Sequence, residues 1–295
     1  PLHREFSGVV PEIASRAHLE TINGLIAGAL KEAAVEFRDL SYVAATSRPG
    51  LVGSLLIGLQ SAKAISFTLG VPLIAVNHLE AHLYAPFLED QDPVFPFIGL
   101  LVSGGNTALY LVRGIGDNEL IGKTVDDAAG EAFDKVAKFL DMGYPGGPLV
   151  EKLARTAVVK KTLFPKILAD TGEDDFRFSY SGLKTAVITF VKENPSVERR
   201  EVVYGFQERA LELLVRRVFR AARNKGINTI VVAGGVAANG RLRALLEKER
   251  RDSERVIIPS PALCTDNAAM VAGVAAHYYG MKVYDRFDAD VSARV

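Results

Sequence analysis

The sequence predicts an α/β protein built in two halves. Apolar runs of strand length alternate with stretches of helical periodicity along the chain. Two strand runs lead into glycine-rich loops, Ser103-Gly104-Gly105-Asn106-Thr107 and Gly234-Gly235-Val236-Ala237-Ala238-Asn239, the second followed at once by a helical stretch. Asp92-Pro93 and Pro96 break the pattern near residue 95, where one alternating unit gives way to the next.

Each element has its own signal. Residues 9–36 read as an amphipathic helix, with Ile13, Leu19, Ile22, Leu25, Ile26 and Leu30 at helical spacings. Residues 41–47 form a short strand, Arg48-Pro49-Gly50 a turn, and 52–69 an Ala/Gly-rich helix expected to be buried. A strand at 71–77 precedes a helix beginning at His78. Residues 97–103 and 107–113 are two β-runs around Gly104-Gly105-Asn106, a hairpin signal. A helix carrying Ala132, Phe133, Val136 and Leu140 follows. The loop Gly143-Tyr144-Pro145-Gly146-Gly147-Pro148 introduces another. Residues 158–182 read as irregular, then two helices near 183–193 and 198–224. A buried strand at 228–233, a helix at 240–250, a strand at 255–258 and a last helix beginning near Thr265-Asp266 complete the chain. No short repeat and no low-complexity stretch occurs.

Composition bounds the function. A chain of 295 residues with 48% hydrophobic content can bury a large core. Lys+Arg and Asp+Glu both number 35, so nucleic-acid binding has to use a local patch. Cys264 is the only cysteine, which excludes intrachain disulfides and cysteine-rich zinc sites and fits a reducing compartment. No apolar run reads as long enough to span a bilayer, and no membrane partner is expected.

His78 and His82 carry the first chemical signal. Their spacing puts both imidazoles on one helical face, where they could grip one divalent metal. The alternative is a pair of polar residues at a helix start. Zinc proteases of the H-E-x-x-H type need Glu directly after the first His, but Leu79 holds that position and Glu80 lies off the His face. Peptide hydrolysis by that route is not supported.

The glycine loops could each hold an anion. Ser103 to Thr107 offers backbone N–H groups and hydroxyls, or is a plain hairpin turn. Gly234 to Asn239 opens a helix whose dipole favours phosphate, although it is not G-x-G-x-x-G. Together they suggest a nucleotide held in a cleft. Asp126, Asp127, Glu131 and Asp134 form an acidic run that reads mostly as a solvated face; Asp134, set among apolar residues, stands out. Asp266 either caps a helix or supplies a hard oxygen as a third metal ligand.

These pieces resemble a family. NHLEAH, LLVSGGNT, AGEAFDKVAKFLDMGYPGGP, FSYSGLKTA, VVAGGVAANGRLR and CTDNAAM occur in the order of the threonylcarbamoyl-adenosine tRNA transferases, once labelled O-sialoglycoprotein endopeptidases. The resemblance runs from GVVPEIASRAHLE onward. It implies the actin/sugar-kinase/Hsp70-like ATPase fold, two ribonuclease H-like lobes around a nucleotide cleft. The first lobe is expected at 1–95, with a C-terminal helix at about 268–295 packing back on it, and the second at 96–267. The resemblance makes His78, His82 and Asp266 ligands of one divalent metal, iron or zinc. It makes Leu101, Val102, Ser103, Gly104 and Gly105 the phosphate-side loop, and Asp134, Gly147 and Asn239 contacts to the adenylate. Glu151 stands where some relatives place an acidic ribose contact.

The implied reaction is transfer of threonylcarbamoyl from threonylcarbamoyl-AMP to N6 of the adenosine next to the anticodon, in tRNAs reading ANN codons. ATP or ADP is an alternative occupant of the adenylate site. The implied partners are tRNA, a shorter paralogue and a small ATPase, with a homodimer as a further arrangement. A bacterial cytoplasm is the expected location and a mitochondrion the alternative. Relatives open with a strand and phosphate loop of the GIETSCDDT type, so this chain is expected to start roughly three dozen residues late. Arg48 stands where the family usually has Gly, which puts the backbone at that turn in question. The competing readings are a small-molecule kinase or other carbamoyltransferase on the same fold, and a catalytically weak nucleotide-binding scaffold. The His pair argues against a kinase, which would use magnesium and carboxylates. Candidate cations for tRNA are Lys160-Lys161, Arg199-Arg200, Arg216-Arg217 with Arg220 and Arg223, and Arg241 with Arg243.

Overall fold

The computed structural model describes residues 10–89, 94–168 and 172–294. They form two compact units: residues 1–84 with 267–295, and residues 85–266.

The first unit opens with α1 (Pro11–Ala33), which has Pro at its first turn and stops where Ala34 turns left-handed. Strand β1 (Val43–Arg48) pairs parallel with β2 (Leu73–Asn77), and α2 (Val52–Leu69) makes the crossover. Gly70 ends α2 in the left-handed conformation its C-cap requires. β2 runs directly into α3 (His78–Tyr84), and α10 (Ala268–Gly280) packs against α3, β1 and β2.

Two expectations need correction here. The helix at 52–69 has the predicted bounds but is not a buried one: only Leu59, Ala62 and Ser66 are buried, and Phe67 is 76% exposed. By length and composition α2 is also apolar enough to cross a membrane, contrary to the expectation that no apolar run is long enough. The last helix does not reach 295 but ends at Gly280, with Lys282 in a left-handed conformation. The chain then turns back along β2, where Asp285 N donates to Leu73 O and its carboxylate accepts from Ala75 N at 2.7 Å.

The second unit is built on a five-stranded sheet of β3 (Phe97–Val102), β4 (Thr107–Gly114), β5 (Asp117–Lys123), β6 (Thr229–Ala233) and β7 (Arg255–Ile257), in the order β5-β4-β3-β6-β7. β3, β4 and β5 form an antiparallel meander, while β6 runs parallel to β3 and to β7. Every residue of β3 is buried, as befits a central strand covered on both faces. The helices α4 (Ala129–Phe139), α5 (Gly146–Ala154), α6 (Ser181–Glu193), α7 (Arg199–Lys225), α8 (Gly240–Glu249) and the short α9 (Pro261–Cys264) surround it. Phe133 of α4 meets Phe206 of α7 edge-to-face at 5.0 Å in the main core. The boundary between units falls at Tyr84/Ala85, not at the proline break, because the turn Ala85–Leu88 packs on β6 and α9.

Candidate metal and adenylate sites

The metal candidate starts from the β2–α3 junction. The Asn77 carboxamide oxygen accepts from Leu79 N at 2.9 Å and so caps α3 at its first turn. That fixes the helix register, and the rings of His78 and His82 follow one turn apart, with centroids 4.6 Å apart and planes at 74°. His82 is buried and His78 half-buried. Glu80, between them, points to α10, where both carboxylate oxygens lie within 3.0 Å of the Tyr278 hydroxyl. This contact ties α3 to α10.

The residue that caps α10 is Asn267, whose side chain accepts from Met270 N at 2.8 Å, and Asp266 directly precedes it. Asp266 is the last residue of the second unit and is bonded to that cap, while α10 itself packs on α3. His78, His82 and Asp266 each offer a ligand atom, all within 4.8 Å of one another. Ligands about 2.1 Å from one ion are at most about 4.2 Å apart, so the group needs only a small contraction to hold a metal. Two imidazoles and a carboxylate suit zinc or ferrous iron.

The second unit holds the anion-binding candidates. The β3–β4 turn is closed by Ser103 N donating to Asn106 O at 2.8 Å and Asn106 N to Ser103 Oγ at 3.1 Å. Leu101 and Val102 are fully buried, so Ser103, Gly104 and Gly105 are the part open to a ligand. Two other backbones crowd this turn. Gly130, at the start of α4, is so close that a Cβ would lie 2.6 Å from Ser103 O. Gly234 has φ +94°, and a Cβ there would lie 2.4 Å from Val102 O. A glycine turn, a helix N-terminus and the β6 loop thus converge, an arrangement suited to phosphate oxygens.

The residues read as adenylate contacts lie around the same loops. Asp134 accepts from Gly146 N at 2.7 Å and also from the N–H of Gly147, so it caps α5 from another helix. Burial pushes its carboxyl above the usual range against those two donors. Asn239 caps α8 through Arg241 N and Leu242 N and donates to Gln207 Oε1 at 3.2 Å. Glu151 accepts from Gly240 N at 3.0 Å, which places it beside Asn239.

Sequence reasoning missed part of this machinery. The acidic run is not mainly a solvated face. Asp126 accepts from Ser179 Oγ, from Tyr180 N at 2.7 Å and from Ser181 N, capping α6 at the FSYSGLKTA stretch. Asp127 accepts from Lys135 at 2.5 Å and Lys184 at 2.7 Å. Burial would raise its carboxyl, but the two lysines outweigh that and lower it. The only sequence sign was the pairing of an acid dipeptide with that distant motif. Conversely, several candidate RNA cations are spent inside the protein. Arg216 donates to Ile167 O and Leu168 O, Arg217 is fully buried and donates to Asp175 O and Arg177 O, and Arg220 donates to Gly172 O. Arg223 pairs with Glu249 and Glu254, and Arg241 with Glu208.

The fold is of the actin/sugar-kinase/Hsp70-like α/β class, and it carries a His/His/Asp group that could hold a metal and a glycine turn crowded by two other backbones. Among solved structures, the chain is similar to full-length HypF in its phosphate- and nucleotide-bound form, with TM-score 0.64 and 16% identity, covering 84% of this chain and 40% of that one. It is also similar to component A of Acidaminococcus fermentans (R)-2-hydroxyglutaryl-CoA dehydratase, with TM-score 0.52 and 16% identity, covering 87% and 82%. These likenesses fix the fold. The family profile of tRNA N6-adenosine threonylcarbamoyltransferase matches residues 1–273. Proteins of that name are similar throughout: 50% identity in Kosmotoga olearia, covering 93% of this chain and 82% of the relative, and 49% in Symbiobacterium thermophilum, covering 99% and 85%. The chain belongs to the tRNA N6-adenosine threonylcarbamoyltransferase family, a family of tRNA-modifying transferases.

Proposed function

We propose that this chain transfers the threonylcarbamoyl group of threonylcarbamoyl-AMP to N6 of the adenosine adjacent to the anticodon in tRNAs reading ANN codons. In that reaction the N6 amine attacks the carbamoyl carbon, the bond from that carbon to the phosphate oxygen breaks, and AMP leaves. The observation that carries the reading is the His78/His82/Asp266 group in a chain of this family. These three residues would hold one iron or zinc ion, which supplies Lewis acidity toward the carbamoyl or phosphate oxygens.

The chain's own residues do the positioning. The backbone at Gly104, Gly105 and Gly234 would face the phosphate, and Asp134, Gly147, Glu151 and Asn239 would hold the nucleoside end of the adenylate. Binding the leaving AMP in a fixed place lowers the barrier by orientation and charge stabilisation. ADP or ATP fits the same loops in the resting state. For tRNA, the exposed Lys160, Lys161 and Arg199 are the cations available for phosphates, and partner proteins contribute the rest. The partners are a shorter paralogue and a small ATPase, or a second copy of this chain, in a bacterial cytoplasm.

The test is transfer to an unmodified ANN-reading tRNA, with threonylcarbamoyl-AMP, partners and metal supplied. The chain is expected to be active and His78→Ala/His82→Ala inactive. Adenylate binding with no transfer by either chain would replace this reading with a scaffold.

A further inference from the structure

We propose that Arg243 is a positioning residue that links occupancy of the adenylate loop to placement of the Asp266 carboxylate. The inference rests on the proposed metal and adenylate sites and adds a connection between them.

Arg243 lies one turn into α8, the helix capped by Asn239. Its guanidinium has three acceptors on two segments. Nε donates to Ala237 O at 2.9 Å, inside the Gly234–Asn239 loop. Nη2 donates to Pro259 O at 2.6 Å and to Cys264 Sγ at 3.4 Å, the two ends of the α9 strap. Asp266 follows two residues after Cys264. One rigid planar group therefore joins the loop expected to hold the nucleotide to the strap that ends in the metal carboxylate.

The strap offers little independent freedom. Cys264 is fully buried, and its thiol lies 3.7 Å from Pro259 O. At the strap's start, Ser260 N donates to Glu89 Oε2 at 2.7 Å. The turn Gly235–Ala238 packs directly on α9. A ligand that draws Ala237 toward the phosphate position moves an acceptor of the same guanidinium that holds Pro259 and Cys264. Lysine could satisfy one of the three acceptors but cannot bridge them, so charge alone does not replace arginine. The neighbouring Arg241 differs in this respect, since its guanidinium pairs with Glu208 instead.

Two linked binding sites affect each other by the same factor in both directions. The experiment is calorimetric titration of the full chain with Zn2+ in the absence and presence of saturating ADP, and with ADP in the absence and presence of Zn2+. In the wild type, ADP is expected to tighten zinc binding about fivefold or more, and zinc to tighten ADP equally. In Arg243→Lys both ligands still bind, and the mutual effect falls below about twofold. Asp266→Asn is expected to lose zinc binding and keep ADP binding. If Arg243→Lys fails to fold, Cys264→Ala carries the test, since it removes one acceptor and reduces the mutual effect. A mutual effect unchanged in a folded variant overturns the inference, as does a wild type that binds both ligands independently. A wild type that binds neither ligand overturns the proposed sites themselves.

Discussion

The Tyr278 hydroxyl lies 3.0 and 2.9 Å from the two carboxylate oxygens of Glu80 and joins α10 to the helix carrying His78 and His82. Glu80 is 7% exposed, so this donor offsets part of the cost of burying the carboxylate. Burial, and then the carboxylate beside it, push the Tyr278 phenol well up, which keeps the donor protonated. The contact holds α3 against α10, in addition to the Asn77 cap at its start.

Tyr278→Phe removes one proton donor from a buried carboxylate. The expected cost is about 1–3 kcal/mol of unfolding free energy. Glu80→Gln in the same background should recover part of it, because the charge is gone. Urea denaturation of the wild type, both single variants and the double variant measures the pair. Equal, additive losses would mean that the contact contributes nothing.

The convergence at the β3–β4 turn is a matter of backbone approach. Gly234→Ala puts a methyl 2.4 Å from Val102 O at φ +94°, and Gly130→Ala puts one 2.6 Å from Ser103 O. Each is expected to destabilise by about 1–3 kcal/mol, as overpacking does, and to weaken ADP binding tenfold or more. Gly105 has open space around it, so Gly105→Ala should leave stability within about 0.5 kcal/mol. Thermal melting together with ADP titration separates the two glycine classes. Three equally harmful substitutions would contradict the geometry.

The architecture was legible where local pattern decides structure. The bounds of α2, the 97–113 hairpin and the β6–loop–α8 unit follow from periodicity and glycine placement. β5 was not legible. Its sequence, DNELIGK, is polar and only partly buried, because it is the sheet's outer strand and lacks the alternation that marks a two-sided one. The burial of α2 was misread because Ala and Gly content says nothing about what covers a face. His78, His82 and Asp266 were readable from spacing and resemblance. The capping acids Asp126 and Asp134 were not, since their partners lie 54 and 12 residues away along the chain. The arginines of α7 misled for the same reason: their carbonyl acceptors belong to an irregular segment with no pattern to announce it.

Asp126 gives a test of such a non-local cap. Asp126→Ala removes the acceptor for Ser179 Oγ, Tyr180 N and Ser181 N at the start of α6. The expected loss is about 0.5–2 kcal/mol, the usual range for a helix cap. Asp126→Asn keeps an acceptor oxygen and should lose less. Hydrogen exchange at residues 180–184 is the local readout, and unchanged protection there would show that α6 holds its start without the carboxylate.

Asp175 sets an acid limit on the same side of the second unit. The Arg177 guanidinium bonded to it is the main cause that holds its carboxyl down at about 2, against burial that would raise it, with Arg217 adding to the pull. The sign follows from proton linkage. A carboxyl lowered in the folded state contributes stability that is fully present above its ordinary value of 3.8, and that contribution is lost as pH falls through about 2. The wild type should therefore lose stability across that interval, and Asp175→Asn should lose less of it while being less stable at pH 6. Unfolding free energies at pH 6, 4 and 2.5 test this. Parallel pH profiles for the two proteins would mean that the Asp175–Arg177 contact does not hold the segment against α7.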